Sequence, residues 1–275
     1  MGQLIAGPFA GKTLGEFGAD VVKIEPPGAG DPLRNWRLIK EGTSVWWQVQ
    51  SRNKRSVAID LRAPEGQQLA RQLIAEADVL IENFRPGVLE KLGLGWEVLH
   101  ALNPKLVMVR LSGFGQSGPM QGQPGFGAVG ESMGGLRYIT GFEDRPPVRT
   151  GISIGDSIAA LWGVIGALMA LRHREVNGGS GQVVDVALYE AVFAMMESMV
   201  PEFDGYVETT ATVSSTSLVS IERNKYSVPC ALANQKVSVR LYPERIEVHD
   251  DTGKVASHER SFDRGEVRYD RRHYI

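Results

Sequence analysis

Up to about Thr209, short β-branched and aliphatic runs alternate with longer stretches whose apolar positions recur at helical spacing. Val21–Glu25, Ser56–Asp60, Val79–Ile81, Leu106–Arg110 and Val183–Val186 read as strands. Helices are predicted at about Phe9–Phe17, Pro64–Ala77, Pro86–Leu92, Trp96–Leu102, Gly155–Arg174 and Leu188–Met199. Strand and helix in alternation predict an α/β domain with a largely parallel sheet. In such sheets ligands bind beyond the carboxyl ends of the strands. The loops Glu25–Leu33, Asn83–Gly87 and Ser112–Pro119 are therefore the places to look for chemistry.

Beyond Thr209 the pattern changes. Val, Ile and Leu alternate with Ser, Arg and Glu, and the alternation breaks at Asp250-Asp-Thr-Gly253, which predicts short antiparallel strands and a hairpin. Residues 1–209 hold 30 of the 32 glycines and all five tryptophans; the remaining 66 residues contain only Gly253 and Gly265. The first part carries 19 Lys and Arg against 23 Asp and Glu, the second 11 against 9. Two folding units follow, with the division placed at 1–208 and 209–275.

Charge and cysteine usage narrow the class. A net charge of −2 makes the whole molecule no obvious electrostatic partner for nucleic acid or anionic membranes. The single cysteine, Cys230, cannot form an internal disulfide, which points to a reducing, cytoplasmic compartment, and it reads as a small core residue. No leader-like segment opens the chain and no apolar stretch has the length and purity of a membrane span. The apolar run around Trp162, flanked by Arg172, His173 and Arg174, reads as a core helix. The five histidines are far apart and no Cys pair exists, so no metal site is expected. Gly28, Gly30, Gly134 and Gly135 permit close approach to a ligand, but none has G-x-G-x-x-G or Walker A spacing, which disfavours Rossmann nicotinamide and P-loop chemistry.

Candidate chemistry starts at Asp156, in Gly155-Asp156-Ser157 at the head of the apolar run Ile158–Leu171. Unpaired N–H groups and the positive end of the helix dipole would keep its carboxylate ionised and able to act as a nucleophile. An N-cap is the simpler role for an acid at that place, and both can hold together. Arg52-Asn-Lys-Arg55 puts three cations before a strand, and Asn83-Phe-Arg-Pro-Gly87 puts another after one. With Lys91 they could hold the phosphates of a nucleotide-bearing ligand, or be a solvated basic surface.

The order of segments resembles the class III CoA-transferases, the CaiB/BaiF type that includes formyl-CoA and carnitine-CoA transferases. The resemblance rests on Ala6-Gly-Pro8, Leu14 to Glu25, Asn53-Lys-Arg-Ser56, Glu82 to Gly87, Gly113-Phe-Gly-Gln-Ser-Gly-Pro119 and Gly155-Asp156, over about residues 2–206. It implies an incomplete Rossmann-like large domain with a parallel sheet. It also implies Asp156 as the nucleophile that attacks an acyl-CoA thioester and passes through a mixed anhydride and an aspartyl-CoA thioester. CoA is then a substrate rather than a resident cofactor, and a carboxylic acid is the acceptor. By the same resemblance CoA would contact Ala6, Asn53, Lys54, Arg55, Asn83, Phe84, Arg85 and Lys91, and a homodimer is expected.

Two positions depart from the family pattern. Ile5 stands where some of these transferases carry a Gln whose amide stabilises the oxyanion, so backbone N–H groups would have to supply that donor. The related α-methylacyl-CoA racemases place a His where this chain has Phe126, so racemisation is disfavoured.

The second part resembles the C-terminal β-barrel segment of IstA-type insertion-sequence transposases, through Val213–Pro229, Val237–Val248 and Arg272–Ile275. This implies a small barrel-like tail without the acidic catalytic core, and at most weak DNA binding. The combined resemblance implies a transferase reading frame running into a mobile element, without the family's small domain, its C-terminal return or the strand before Ala6-Gly-Pro8. Impaired turnover is expected on that reading. The alternative is a non-catalytic hybrid.

Overall fold

Alternation along the chain produces two parallel sheets in place of one. The computed structural model describes residues 1–142, 145–196 and 205–274. The chain divides into two units, Met1–Val200 and Pro201–Ile275.

The first unit runs α1 (Ala6–Glu16), β1 (Val21–Glu25), a small hairpin of β2 (Ile39–Lys40) and β3 (Thr43–Ser44), α2 (Val45–Gln50) and β4 (Lys54–Ala58). It continues with α3 (Pro64–Ala75), β5 (Val79–Glu82), α4 (Val88–Lys91), α5 (Trp96–Leu102) and β6 (Val107–Ser112). Then come α6 (Gly127–Met133), α7 (Leu136–Ile139), α8 (Ile154–Val176), β7 (Val183–Ala187) and α9 (Leu188–Phe193). β1 and β4 pair in parallel, with Val21 opposite Lys54 and Glu25 opposite Ala58. β5, β6 and β7 form a second parallel sheet in that order. Every residue of β6 is buried, as befits a central strand covered on both faces.

The long helix α8 covers this sheet with a small-residue face. Ala159, Ala160, Ala167 and Ala170 are at most 1% exposed, and a Cβ added to Gly163 would stand 3.0 Å from Val109 Cγ1. By length and composition α8 could cross a membrane, contrary to the sequence expectation that no stretch was long and pure enough. Its alanine face nevertheless lies in the domain core with Val107, Val109 and Leu111. Ile165, Leu168 and Met169 on the other side are exposed.

β1 and β5 share no pairing; both line a cleft of about 1040 Å³ with Val22, Ile24, Ile81 and Leu168. Met1 also lines it; the Met1 amino group donates to Ile81 O at 2.7 Å, and burial pushes that amine down to about 5. Buried ion pairs fix the residues that lead into α1. Lys23 Nζ donates to Asp31 and to Gly2 O, both at 2.8 Å, while Asp31 accepts from the Leu4 N–H. Glu25 accepts from both Nε and Nη2 of Arg34, whose guanidinium lies 4.0 Å from the Trp47 ring centroid.

Local physics explains where element boundaries moved. α1 starts at Ala6 rather than Phe9, because Pro8 lies in the first turn, where a missing N–H breaks no intrahelical bond. β4 begins at Lys54 rather than Ser56, in register with β1, and Asp60 turns the chain by accepting from the Arg62 N–H. Gly87 adopts a left-handed φ of 83°, which delays α4 to Val88. The sequence pattern does not predict α6; Gly127 and Gly130 lower its intrinsic propensity, and its packing on α8 and α9 holds it. The end of the helix predicted to Met199 lies outside the described residues.

The second unit comprises β8 (Val207–Thr212), β9 (Leu218–Ile221), β10 (Asn224–Ser227), β11 (Lys236–Leu241), β12 (Arg245–Asp250), β13 (Gly253–Glu259) and β14 (Val267–Arg268). Four antiparallel strands form one sheet in the order β13-β12-β11-β8, and β14-β10-β9 form another. The hairpin predicted at Asp250–Gly253 joins β12 to β13, with Asp250 Oδ1 accepting from the Thr252 N–H. The barrel expectation is corrected: the strands make two open sheets around Val219, Tyr226, Val239, Ile246 and Val248, and β14 joins β10 in parallel. Cys230 is exposed rather than a core residue, because the Cys230–Leu232 turn gives its buried place to Leu232.

Candidate active site

Asp156 is the third residue of α8, and the cap position belongs to Ser153, whose side chain makes no capping bond. The N-cap role considered from sequence is therefore not the one Asp156 has. Two glycines set its surroundings. A Cβ added to Gly127 would stand 2.1 Å from Asp156 Oδ2; one added to Gly155 would stand 2.9 Å from Gly127 O and 3.2 Å from Glu131 Cγ. The first turn of α8 thus sits directly on the face of α6 that carries Gly127 and, one turn later, Glu131.

Glu131 is fully buried. Its Oε2 accepts from Arg137 Nε at 2.9 Å and pairs with Nη2 at 2.9 Å, while its Oε1 has no hydrogen-bond partner among the described residues. Burial first, and the Glu131 charge second, push the Asp156 carboxyl up to about 6; Arg149 partly offsets them. The helix dipole was expected to favour ionisation without opposition. Desolvation and a like charge outweigh it. With a pKa of about 6, roughly nine-tenths of the group is still ionised at pH 7.

The Ser112–Pro119 loop is held by two contacts. Gly113 crosses Gly125 so closely that a Cβ at Gly113 would stand 2.4 Å from Gly125 Cα, which only glycine permits. Asp185 Oδ2 accepts the Gln116 N–H at 2.8 Å. The loop after β6 is thereby tied both to β7 and to the entry of α6.

Of the residues expected to hold CoA, Ala6, Lys54 and Asn83 come together around the first turn of α1. Asn83 Oδ1 accepts the Gln3 N–H at 2.8 Å and its Nδ2 donates to Gln3 O, and the same Oδ1 lies 3.0 Å from where a Cβ on Gly7 would be. Lys54 Nζ donates to Pro8 O at 2.6 Å and to Gln50 O. Burial and Lys23 depress its amine to about 7, so its full charge is not spare for a phosphate at neutral pH. Asn53 turns the chain with a left-handed φ of 58°. Arg55 pairs with Asp20 on the surface, and Phe84 packs against the core beside Leu89 and Leu94. Arg85 and Lys91 are exposed, with no ion pair among the described residues. Ile5 is buried at the head of α1, and Phe126 is 66% exposed at the head of α6.

Sequence reasoning missed Glu131, Arg137 and Gly127. Their relation to Asp156 spans a long loop, and no local signal marks it. It also missed Arg110, which donates from Nε to Glu82 at 2.7 Å and from Nη1 to Glu90 at 2.8 Å beneath the Asn83–Gly87 loop. Among the described residues no group of three His, Cys, Asp or Glu could hold a metal ion.

The chain is similar to several known proteins. A succinyl-CoA–D-citramalate CoA-transferase of Chloroflexus aurantiacus is 58% identical over 204 residues, covering 74% of this chain and 50% of the relative. A human succinyl-CoA:glutarate CoA-transferase is 36% identical over 202 residues, covering 73% of this chain and 46% of that one. The chain thus spans about half the length of the curated relatives it matches. Among solved structures, a CAIB/BAIF family protein from Brucella suis superposes with a TM-score of 0.70 at 38% identity, over 74% of this chain and 55% of its own. Residues 200–270 match the model of the Mu transposase C-terminal domain. Residues 1–229 match the model of CoA-transferase family III, and the chain belongs to that family.

Proposed function

We propose that the chain encodes an acyl-CoA:carboxylate CoA-transferase whose nucleophile is Asp156. The observation that carries this reading is a carboxylate held against Gly127 at the head of a core helix, largely ionised at neutral pH and with a basicity above that of an ordinary aspartate. Asp156 attacks the carbonyl carbon of the acyl-CoA; the C–S bond breaks, leaving a mixed anhydride and CoA thiolate. The thiolate attacks the aspartyl carbonyl, releases the donor acid as its carboxylate and leaves an aspartyl-CoA thioester. The acceptor carboxylate then attacks that thioester, giving a second anhydride and thiolate. Attack of the thiolate on the acceptor's carbonyl forms the new acyl-CoA and frees Asp156.

The relatives named above act with succinyl-CoA, which supports a dicarboxylic acyl donor. Backbone N–H groups of Ala6 and Gly7, unpaired within α1 as first-turn donors, would supply oxyanion stabilisation in place of a side chain at Ile5. Ala6, Asn53, Lys54, Arg55, Asn83, Phe84, Arg85 and Lys91 would line the CoA path, with Arg85 and Lys91 as the phosphate-seeking charges. The transferase part comprises residues 1–208, followed by a β-rich segment, 209–275, to which no catalytic role is assigned.

Incubating the full chain with succinyl-CoA and hydroxylamine should leave a hydroxamate on Asp156, detected by mass spectrometry. CoA transfer undiminished in Asp156→Ala would overturn the assignment.

A further inference from the structure

The residue that faces the nucleophile from α6 has no part in the reaction steps just described. Glu131 is fully buried, uses one carboxylate oxygen on Arg137 and leaves the other without a hydrogen-bond partner among the described residues. A buried, half-satisfied carboxylate is costly. An apolar residue or an amide at this position would fill the same space at lower cost, so stability alone gives no reason for it.

Its placement supplies a reason. Gly127 and Glu131 lie one helical turn apart on the same face of α6, and Gly155 and Asp156 are adjacent in the first turn of α8. The two glycines remove the side chains that would separate the helices. Gly127 meets the Asp156 carboxylate and Gly155 meets Glu131 Cγ. The close contact thus brings two acids of opposite helices into one poorly hydrated site. Arg137 binds Glu131 through Oε2, and Arg149, on the approach to α8, is the cation that opposes the pair at Asp156.

We propose that Glu131 is a positioning residue for Asp156, whose charge, anchored by Arg137, strengthens the Asp156 carboxylate as a nucleophile. This rests on the reading of Asp156 as the nucleophile. Arg137 anchors the Glu131 carboxylate, and the like-charge repulsion is felt at Asp156. The basicity gained at Asp156 increases its attack on a thioester while most of the group remains ionised at pH 7. The two acids have separate roles, since one carboxylate reacts and the other sets its charge environment.

The test is a carboxyl NMR titration of the full chain labelled with 13Cγ-aspartate, the Asp156 signal assigned from its loss in Asp156→Asn. The wild type should titrate near 6. Glu131→Gln keeps the shape and an acceptor for Arg137 but removes the charge; its midpoint should fall below 6 yet stay above the ordinary 3.8, because burial persists. Glu131→Asp, which restores the charge, should move the midpoint back up. The pH profile of hydroxamate formation should shift with the midpoint in both variants. An unmoved midpoint in Glu131→Gln overturns the proposal. So does a wild-type midpoint in the ordinary aspartate range, a measurement that decides the matter even where Glu131→Gln fails to fold. Absence of hydroxamate in a wild type whose midpoint responds to Glu131 would sink the transferase reading and leave the electrostatic coupling standing.

Discussion

Gly127 and Asp156 compete for one volume: a Cβ at Gly127 would stand 2.1 Å from Asp156 Oδ2. Gly127→Ala must therefore displace the carboxylate or separate α6 from α8. The expected cost is about 1–3 kcal/mol, the range for overpacking a tight contact. Hydroxamate formation at Asp156 should fall more than the stability loss explains. Urea melts and trapping on the same preparation give both quantities.

Asp156 also makes stability depend on pH. Its folded value, about 6, lies above the unfolded 3.8, so the fold favours the protonated acid. The stabilisation is present in full below about 3.8 and is lost as pH rises through about 6. Asp156→Asn, permanently neutral, should therefore gain about 2–3 kcal/mol over the wild type at pH 7 and little at pH 3.5. Urea unfolding at the two pH values checks this; equal differences at both would contradict it.

Arg110 joins Glu82, 1% exposed, to Glu90 across the loop that carries Asn83 and Arg85. Arg110→Met would strand the Glu82 charge in the core. A loss of about 3–5 kcal/mol is expected, as for a buried pair broken on one side. A double substitution of Arg110→Met with Glu82→Gln should recover part of it, measured by thermal melting.

Arg85 and Lys91 are exposed and without an ion pair among the described residues, so a ligand phosphate would meet little competition for them. Arg85→Ala should weaken CoA binding about 3- to 10-fold, the worth of one exposed charge-assisted contact. Wild-type affinity should also fall as salt rises. Calorimetric titration reads both effects; an affinity insensitive to either makes the loop a solvated surface.

Residues 210–275 carry a charge balance of only +2. DNA affinity grows with the number of phosphates neutralised, so binding should be weak and should vanish at physiological salt. Gel shifts with short duplexes across a salt series measure this. Nanomolar binding at physiological salt would show that the unit has a nucleic-acid role.

Sequence alone was enough for those features that depend on nearest neighbours and on pattern. Val79–Ile81 and Val183–Val186 are strand by their aliphatic runs, the long helix is apolar without interruption, and Asp250–Gly253 turns a hairpin. The change of character after Thr209 separated two kinds of chain, and Asp156 was visible as an acid opening an apolar helix. Tertiary structure decided what depends on contact between distant segments. It split the sheet between β1 and β5 and left the tail as two open sheets. It assigned Lys54 to backbone carbonyls and Arg55 to Asp20. It set Glu131 against Asp156 across a glycine contact that no local pattern encodes, so the Asp156 carboxyl rose where the helix dipole alone would have lowered it. Propensity and periodicity act over a few residues. Desolvation and charge repulsion depend on which groups the fold brings together, and a linear pattern does not carry that information.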